Sequence, residues 1–234
     1  MKNENIGIIF SIKKEFVRLI LEGKKTAEIR KRIPRKFIEE DEDGIHLIRP
    51  FKCYIYCTRD KGENPITSFK YENVNGVQIG DKKYKETETG SIVGEFTCDK
   101  IECLTTDYRM NEEQTKRVSE ESCLSMVELA EYEENAPCLY SFHISNLIIY
   151  KKPQNLYNMS RPGAATIDEM ADELCSLYCS DTYYGKHAMG CAPNGYYSCE
   201  GRYCDKAYQE YLEQFDIKKA PQSWCYCKVK EDWT

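Results

Sequence analysis

Along the first half of the chain, runs of alternating or continuous apolar residues are interrupted by one clear helical repeat. Ile6–Ile12 is apolar and β-branched and predicts a strand. In Lys13–Leu21 the positions Phe16, Val17, Leu19, Ile20 and Leu21 recur at helix-compatible spacing, and Gly23 stands where such a helix would stop. Thr26–Arg32 fits a second strand, and the acidic run Glu39–Asp43 reads as a solvated loop. Lys52–Thr58 and Ser91–Cys98 predict two more strands from their aromatic and β-branched content. Between them Arg59–Gly90 is polar and turn-rich, with Asn75-Gly76 as the expected tip of a hairpin. Leu124–Glu134 predicts an acidic amphipathic helix, and Leu139–Ile144 and Leu147–Tyr150 predict two closing strands around Ser145-Asn146.

Strands separated by single helices, without a βαβ rhythm, indicate an α+β fold built on a small mixed barrel rather than a doubly wound sheet. After Lys151-Lys152-Pro153 the pattern changes. Thr166–Cys179 and Asp205–Phe215 predict helices, and Tyr183–Cys204 between them is rich in Cys, Gly and Tyr. The expected organisation is therefore a barrel domain over 1–152 and a Cys-rich, mainly helical lobe over 153–234. A chain of 234 residues is long enough to bury a core of that extent.

Charge changes this picture at one place. The formal net charge is -6, so the molecule as a whole repels phosphate, and any affinity for nucleic acid must come from a local patch. Such a patch lies in Lys24–Lys36, where Lys24, Lys25, Arg30, Lys31, Arg32, Arg35 and Lys36 face a single acid, Glu28. Strand alternation puts Thr26, Glu28, Arg30 and Arg32 on one face, and Lys25, Ala27, Ile29 and Lys31 on the other. Arg suits phosphate through its planar fork, and Lys supplies a mobile point charge. Charge alone does not separate a ligand cleft from a solvated strand that neutralises Glu39–Asp43.

No secretory leader pattern opens the chain, and no apolar run approaches the length of a membrane span, so the expected location is cytoplasmic, with no membrane partner. In a reducing compartment thirteen cysteines point to metal binding, packing or redox chemistry rather than disulfides. Cys191, Cys199 and Cys204, with Cys175 and Cys179 upstream, are the candidate thiolates for a structural zinc; His187 and the pair Cys225 and Cys227 stand near them in sequence. None of these spacings is a paired C-x2-C knuckle, and buried thiols packing as small hydrophobes account for them as well. Tyr196, Tyr197, Tyr203, Tyr208 and Tyr211 are candidates for base stacking or for the core of the lobe. His46 and His143 read as structural, and no phosphate-binding Gly-rich loop, dinucleotide fingerprint or metalloprotease helix is present.

Three ordered motifs, "SIKKEFVRLILEGKKTAEIRKR", "GSIVGEFTCDKI" and "YSFHISNLIIYKKP", resemble the ASCH family of PUA-like domains over roughly residues 6–153. With the "APQSWCY" ending at Ala220–Tyr226, the chain is similar to ASCH proteins of Firmicutes and their phages. The resemblance implies a β-barrel with flanking helices and a cleft rimmed by "GKKTAEIRKR" that takes RNA or a nucleotide. It places Lys25, Thr26, Glu28 and Arg30 on the cleft motif, with Lys24 and Arg32 beside them and Glu95 of "GEF" as the next candidate. Some small relatives are amidohydrolases that deacylate modified cytidine with a Lys and a nucleophilic Thr. Here Lys25 is kept, Glu28 stands where that Thr would be, and Glu128, Glu131, Glu133 or Glu134 would have to supply a later carboxylate. If catalysis occurs, the candidates are Lys25, Glu28 and Glu95. The sequence thus carries three readings: a binder of RNA or a modified nucleoside, an amidohydrolase acting on acylated cytidine, and a metal-stabilised protein-interaction module.

Overall fold

The computed structural model describes residues 6–42, 44–64, 67–104, 112–134, 136–164 and 208–230. The fold is α+β and strand-rich, as the apolar pattern indicates. Its centre is β1 (Gly7–Ile12), every residue of which is buried. A strand covered on both faces loses the polar alternation of a surface strand, which explains the unbroken apolar run. Lys14–Leu21 then forms α1 and turns Val17, Ile20 and Leu21 inward. Gly23 ends it at φ +73, a left-handed conformation that favours glycine, with its N–H bonded to the Ile20 carbonyl at 2.9 Å.

The next elements are β2 (Ala27–Arg30), β3 (Ile38–Asp41), β4 (Gly44–Leu47), β5 (Phe51–Cys57), β6 (Ser68–Ile79), β7 (Lys82–Glu88), β8 (Ser91–Cys98) and β9 (Ile101–Leu104). Helices α2 (Glu112–Ser122) and α3 (Met126–Glu133) precede β10 (Leu139–His143) and β11 (Ser145–Gln154). The short β12 (Met159–Ser160) and the final β13 (Trp224–Val229) complete the described strands.

The chain divides into two compact units. The first is 1–156 with 219–228, and the second is 157–218 with 229–234. The first break thus falls four residues after the expected 152/153 boundary, and the strand carrying Trp224–Lys228 belongs with the first unit. In that unit one mixed sheet runs β11-β8-β5-β1-β13, with β1 parallel to β5 and antiparallel to β13. A second sheet runs β2-β10-β9. The two share one core, in which Phe10 of β1 stacks on Phe96 of β8 and meets Phe142 of β10 edge-on at 5.2 Å. Among the described residues the strands do not close into one hydrogen-bonded barrel; these two sheets pack on a common core. Gly94 lets β11 approach β8 closely, since a Cβ there would lie 2.5 Å from the Ile148 carbonyl oxygen.

Two local expectations are corrected. The acidic run is not a loop, because Ile38–Asp41 pairs with Gly44–Leu47 as a two-stranded ribbon in which Ile38 is buried and the acids face water. The hairpin exists, but its turn is Gly80-Asp81, with Ile79 opposite Lys82; the register shifts between Glu72 and Val77, around Asn75-Gly76. Helix α2 had no apolar stripe to announce it. In the second unit, residues 208–212 are helical, and Tyr211 contacts Tyr208 at 6.1 Å and Phe215 at 5.1 Å between ring centroids. The candidate zinc ligands Cys175, Cys179, Cys191, Cys199 and Cys204, together with His187, Tyr196, Tyr197 and Tyr203, lie outside the described residues.

Candidate functional site

The basic segment enters the fold at the end of α1 and immediately divides. Lys24 is exposed, and its Nζ bonds the Glu22 carboxylate at 2.7 Å. Lys25 turns the other way and is 2% exposed. Its Nζ donates to the Ser122 carbonyl at 2.8 Å, lies 3.4 Å from Glu28 Oε2, and sits 5.3 Å from the centre of the Phe16 ring. Strand alternation assigns Lys25 and Glu28 to opposite faces, yet they meet. Residues 24–26 are not yet strand, so the period-2 rule starts only at Ala27.

Glu28 and Arg30 share one face of β2. Arg30 Nη2 lies 2.8 Å from Glu28 Oε1 and also donates to the Ser11 carbonyl at 2.8 Å. Nη1 reaches Ser223 Oγ at 3.4 Å, and the guanidinium lies 5.2 Å from the centre of the Phe10 ring. Glu28 and Arg30 are 6% and 7% exposed. Lys25, Glu28 and Arg30 therefore form a buried triad with both carboxylate oxygens engaged and one cation in excess. A desolvated charge is tolerated only where partners replace water, and each member here has two or more. Among the described residues, Arg30 Nε and Ser11 Oγ are buried without a hydrogen-bond partner.

This triad lines a cavity of about 270 Å³ whose other walls include Ser11, Ile12, Lys13, Phe16, Leu124, Glu128 and Tyr132. Apolar and aromatic walls with a few convergent polar groups are the usual make-up of a small-molecule site. Four of these residues are assigned to no site by sequence, because Ser11 lies within a strand, Phe16 reads as helix core, and Leu124 and Tyr132 come from a distant helical region.

The remaining sequence candidates lie elsewhere. Thr26 is half-buried, and its backbone, which donates to the Glu121 carbonyl at 2.8 Å, is tied into the fold outside the cavity lining. Arg32 is exposed, and its carbonyl accepts from Trp224 Nε1 at 3.2 Å. Glu95 is not a partner of Arg30. It accepts from Lys52 Nζ at 2.7 Å and from the Tyr150 hydroxyl at 2.6 Å, away from the cavity. Burial, and then the Glu95 carboxylate, push the Tyr150 hydroxyl well above its ordinary range, so it stays a donor. Of the four acids in the later helix, Glu128 lines the cavity, but its carboxylate caps α3 by accepting from the Ser125 N–H at 2.8 Å and the Ser125 hydroxyl at 2.7 Å. Those bonds hold Glu128 below the usual carboxylate value. His143 Nδ1 lies 2.6 Å from Asp99, which fits a structural role.

Among the described residues no group of three or more His, Cys, Asp and Glu side chains is placed to hold a metal ion. Cys53, Cys57, Cys98 and Cys227 are buried free thiols, and burial pushes the Cys57 and Cys98 thiols up to about 12. They pack as small apolar groups. No helix among the described residues is long and apolar enough to cross a membrane.

No protein-family model matches the chain, and no curated protein matches it. Among solved structures it is similar to the ASCH protein from Zymomonas mobilis, at 20% identity over 65% of this chain and 76% of that one, with a TM-score of 0.41. It is similar also to a point-mutant form of the same protein, at 21% identity over 64% of this chain and 74% of that one, with a TM-score of 0.40. A likeness this distant leaves the role of each site residue to be judged from this chain's own geometry.

Proposed function

We propose that this chain is an ASCH-like binding protein whose cavity takes one unpaired base of an RNA or a free modified nucleoside. The observation that carries this reading is the buried triad Lys25–Glu28–Arg30 on the wall of a 270 Å³ cavity. The volume lies just below the range of about 300–1,000 Å³ usual for ligand pockets, which suits a nucleoside and excludes a duplex. Phe16 and Tyr132 offer aromatic surface for a heterocycle, while lysine and arginine donors and a carboxylate acceptor match the mixed donor and acceptor edge of a base. The order of the sequence motifs agrees with this reading.

Calorimetric titration with a panel of plain and modified nucleosides tests it. At least one should bind, and Lys25→Ala or Arg30→Ala should weaken it more than about tenfold, the 1–3 kcal/mol of a lost directed polar contact, in protein shown to be folded by circular dichroism. A folded wild type that binds neither a nucleoside nor single-stranded RNA overturns the proposal.

One observation favours amidohydrolysis as a second reading: Lys25 Nζ and the Glu28 carboxylate stand 3.4 Å apart on the cavity wall. Glu28 would take a proton from water as that water attacks the amide carbon, and the departing amine would leave protonated. Because both carboxylate oxygens are already engaged by cations, binding is the first reading. Release of acetate from N4-acetylcytidine, abolished in Lys25→Ala, would establish the second; no turnover by folded wild type would end it.

A further inference from the structure

The half of the basic segment that stays outside the cavity has a surface of its own. After Arg30 the chain leaves β2 and carries Lys31, Arg32, Arg35 and Lys36 within six residues. Arg32, Arg35 and Lys36 are exposed. Arg35 approaches one acid, Glu40, at 3.8 Å, with its own side chain 82% exposed. Arg32 and Lys36 have no ion pair among the described residues. The cations instead meet aromatic rings. Lys31 lies 5.2 Å from the centre of the Tyr132 ring, and Lys36 lies 5.3 Å from that of Tyr226.

The rings come from the far end of the chain. Pairing of β13 with β1 sets Trp224 opposite Phe10 and Tyr226 opposite Ile8. Trp224 then donates its indole N–H to the Arg32 carbonyl at 3.2 Å, and the Tyr226 hydroxyl accepts the Lys36 backbone N–H at 3.0 Å. The two rings meet edge-to-face at 5.4 Å and are both only partly buried. The loop is thus pinned at two points to an aromatic pair, and its cations, near one another in sequence, suit a polyanion. The strip also touches the cavity twice, because Tyr132 lies in the cavity wall and Ser223, next to Trp224, contacts Arg30.

We infer that Arg32, Arg35 and Lys36, interleaved with Trp224 and Tyr226, form a track for a single-stranded polynucleotide whose terminal or unpaired base enters the adjoining cavity. This rests on the reading of the cavity given above and adds the surface along which the rest of the strand runs. Cations spaced among aromatic rings suit a strand whose phosphates and bases are both accessible, whereas a duplex hides its base faces. The bland alternative is a solvated loop that balances Glu39 and Glu40. The geometry argues against it, since three of the four cations stand on rings or in water and only Arg35 comes near an acid.

The test is fluorescence anisotropy with a short labelled single-stranded oligoribonucleotide, its DNA counterpart and the matching RNA duplex, each across a salt series. The triple variant Arg32→Ala/Arg35→Ala/Lys36→Ala should bind the single strand at least about tenfold more weakly, with the log–log salt slope reduced by about 2, as about 0.7 per lost phosphate contact requires. Because Trp224→Ala would remove a half-buried ring and an anchor, the second measurement keeps that ring. In a Trp233→Phe background, Trp224 emission should change on adding the oligonucleotide. Unchanged binding by the triple variant, silent Trp224 emission, or duplex binding equal to single-strand binding overturns the track. Equal affinity for RNA and DNA assigns recognition to phosphates and bases, and a preference for RNA adds the 2′-hydroxyl. Nucleoside titration of the same proteins separates the two proposals. Nucleoside binding with no effect of the triple variant on RNA ends the track alone; RNA binding weakened by the triple variant but unchanged in Lys25→Ala and Arg30→Ala, with no nucleoside bound, ends the cavity reading alone.

Discussion

Two stretches of one basic segment, only a few residues apart, have opposite fates. Lys25 and Arg30 are buried against Glu28, whereas Arg32, Arg35 and Lys36 lie in water beside Trp224 and Tyr226. Equal charge density therefore does not mean equal function. Inside, every charge is held by two or more polar contacts. Outside, the cations keep their hydration and act through field and reach. The first arrangement suits recognition of one ligand, and the second suits an extended polyanion of many similar parts.

The largest expected effect breaks the inner half. Glu28→Gln leaves Lys25 and Arg30 buried without their shared anion, and urea unfolding should show a loss on the order of 3–5 kcal/mol. Arg32→Ala, its outer counterpart, should change stability by less than about 0.5 kcal/mol in the same assay. Equal losses would erase the distinction between the two halves. Glu95→Gln sharpens it from another side. It weakens the bonds from Lys52 and Tyr150 and should cost about 1–2 kcal/mol, yet leave nucleoside binding unchanged because Glu95 lies away from the cavity. Loss of binding at full stability would return Glu95 to the site. Ser125→Ala should remove the capping box of α3 at about 1 kcal/mol and, by loosening the helix that carries Tyr132, weaken the cavity more than the track. The smallest effect concerns acid. Hydrogen bonding from His143 holds the Asp99 carboxyl below its ordinary value, against a smaller opposing effect of burial. A depressed folded-state value stabilises the protein above the unfolded value of about 3.9 and is lost as pH falls through the folded one. Asp99→Asn should therefore flatten part of the stability decline below about pH 4, and an unchanged acid limb in the variant would remove Asp99 from that account.

Much of this was legible along the chain. β1, α1 and β8 announced themselves through apolar runs and a helical repeat, since each puts a continuous apolar surface into the core. Glu28 and Arg30 were legible as one face of a strand. Lys25 was not, because its side chain is directed by an irregular stretch that ends at Ala27 rather than by strand pleating. The ribbon Ile38–Asp41 hid behind its acids, which an exposed two-stranded ribbon tolerates, and α2 hid because its sequence is polar almost throughout. Ser11, Phe16 and Tyr132 could not be assigned to a cavity from composition, since mid-strand and mid-helix residues look alike whether they face the core or a pocket. Above all, nothing local in Trp224–Val229 says that it pairs with Gly7–Ile12.

That last pairing bears on how the molecule is made. Trp224 and Arg32 bond across 192 residues of chain, and residues 157–218 belong to a unit of their own before the strand returns. During synthesis β1 emerges from the ribosome well before β13, which pairs with one of its edges. Until β13 is made, that edge of an apolar strand lacks its partner, which is a window for misassociation and for chaperone capture. A shortened product ending before Ser223 would lack the Ser223 contact to Arg30 together with both rings of the outer strip. The pairing that closes this edge of β1 thus also sets the two rings beside the outer cations.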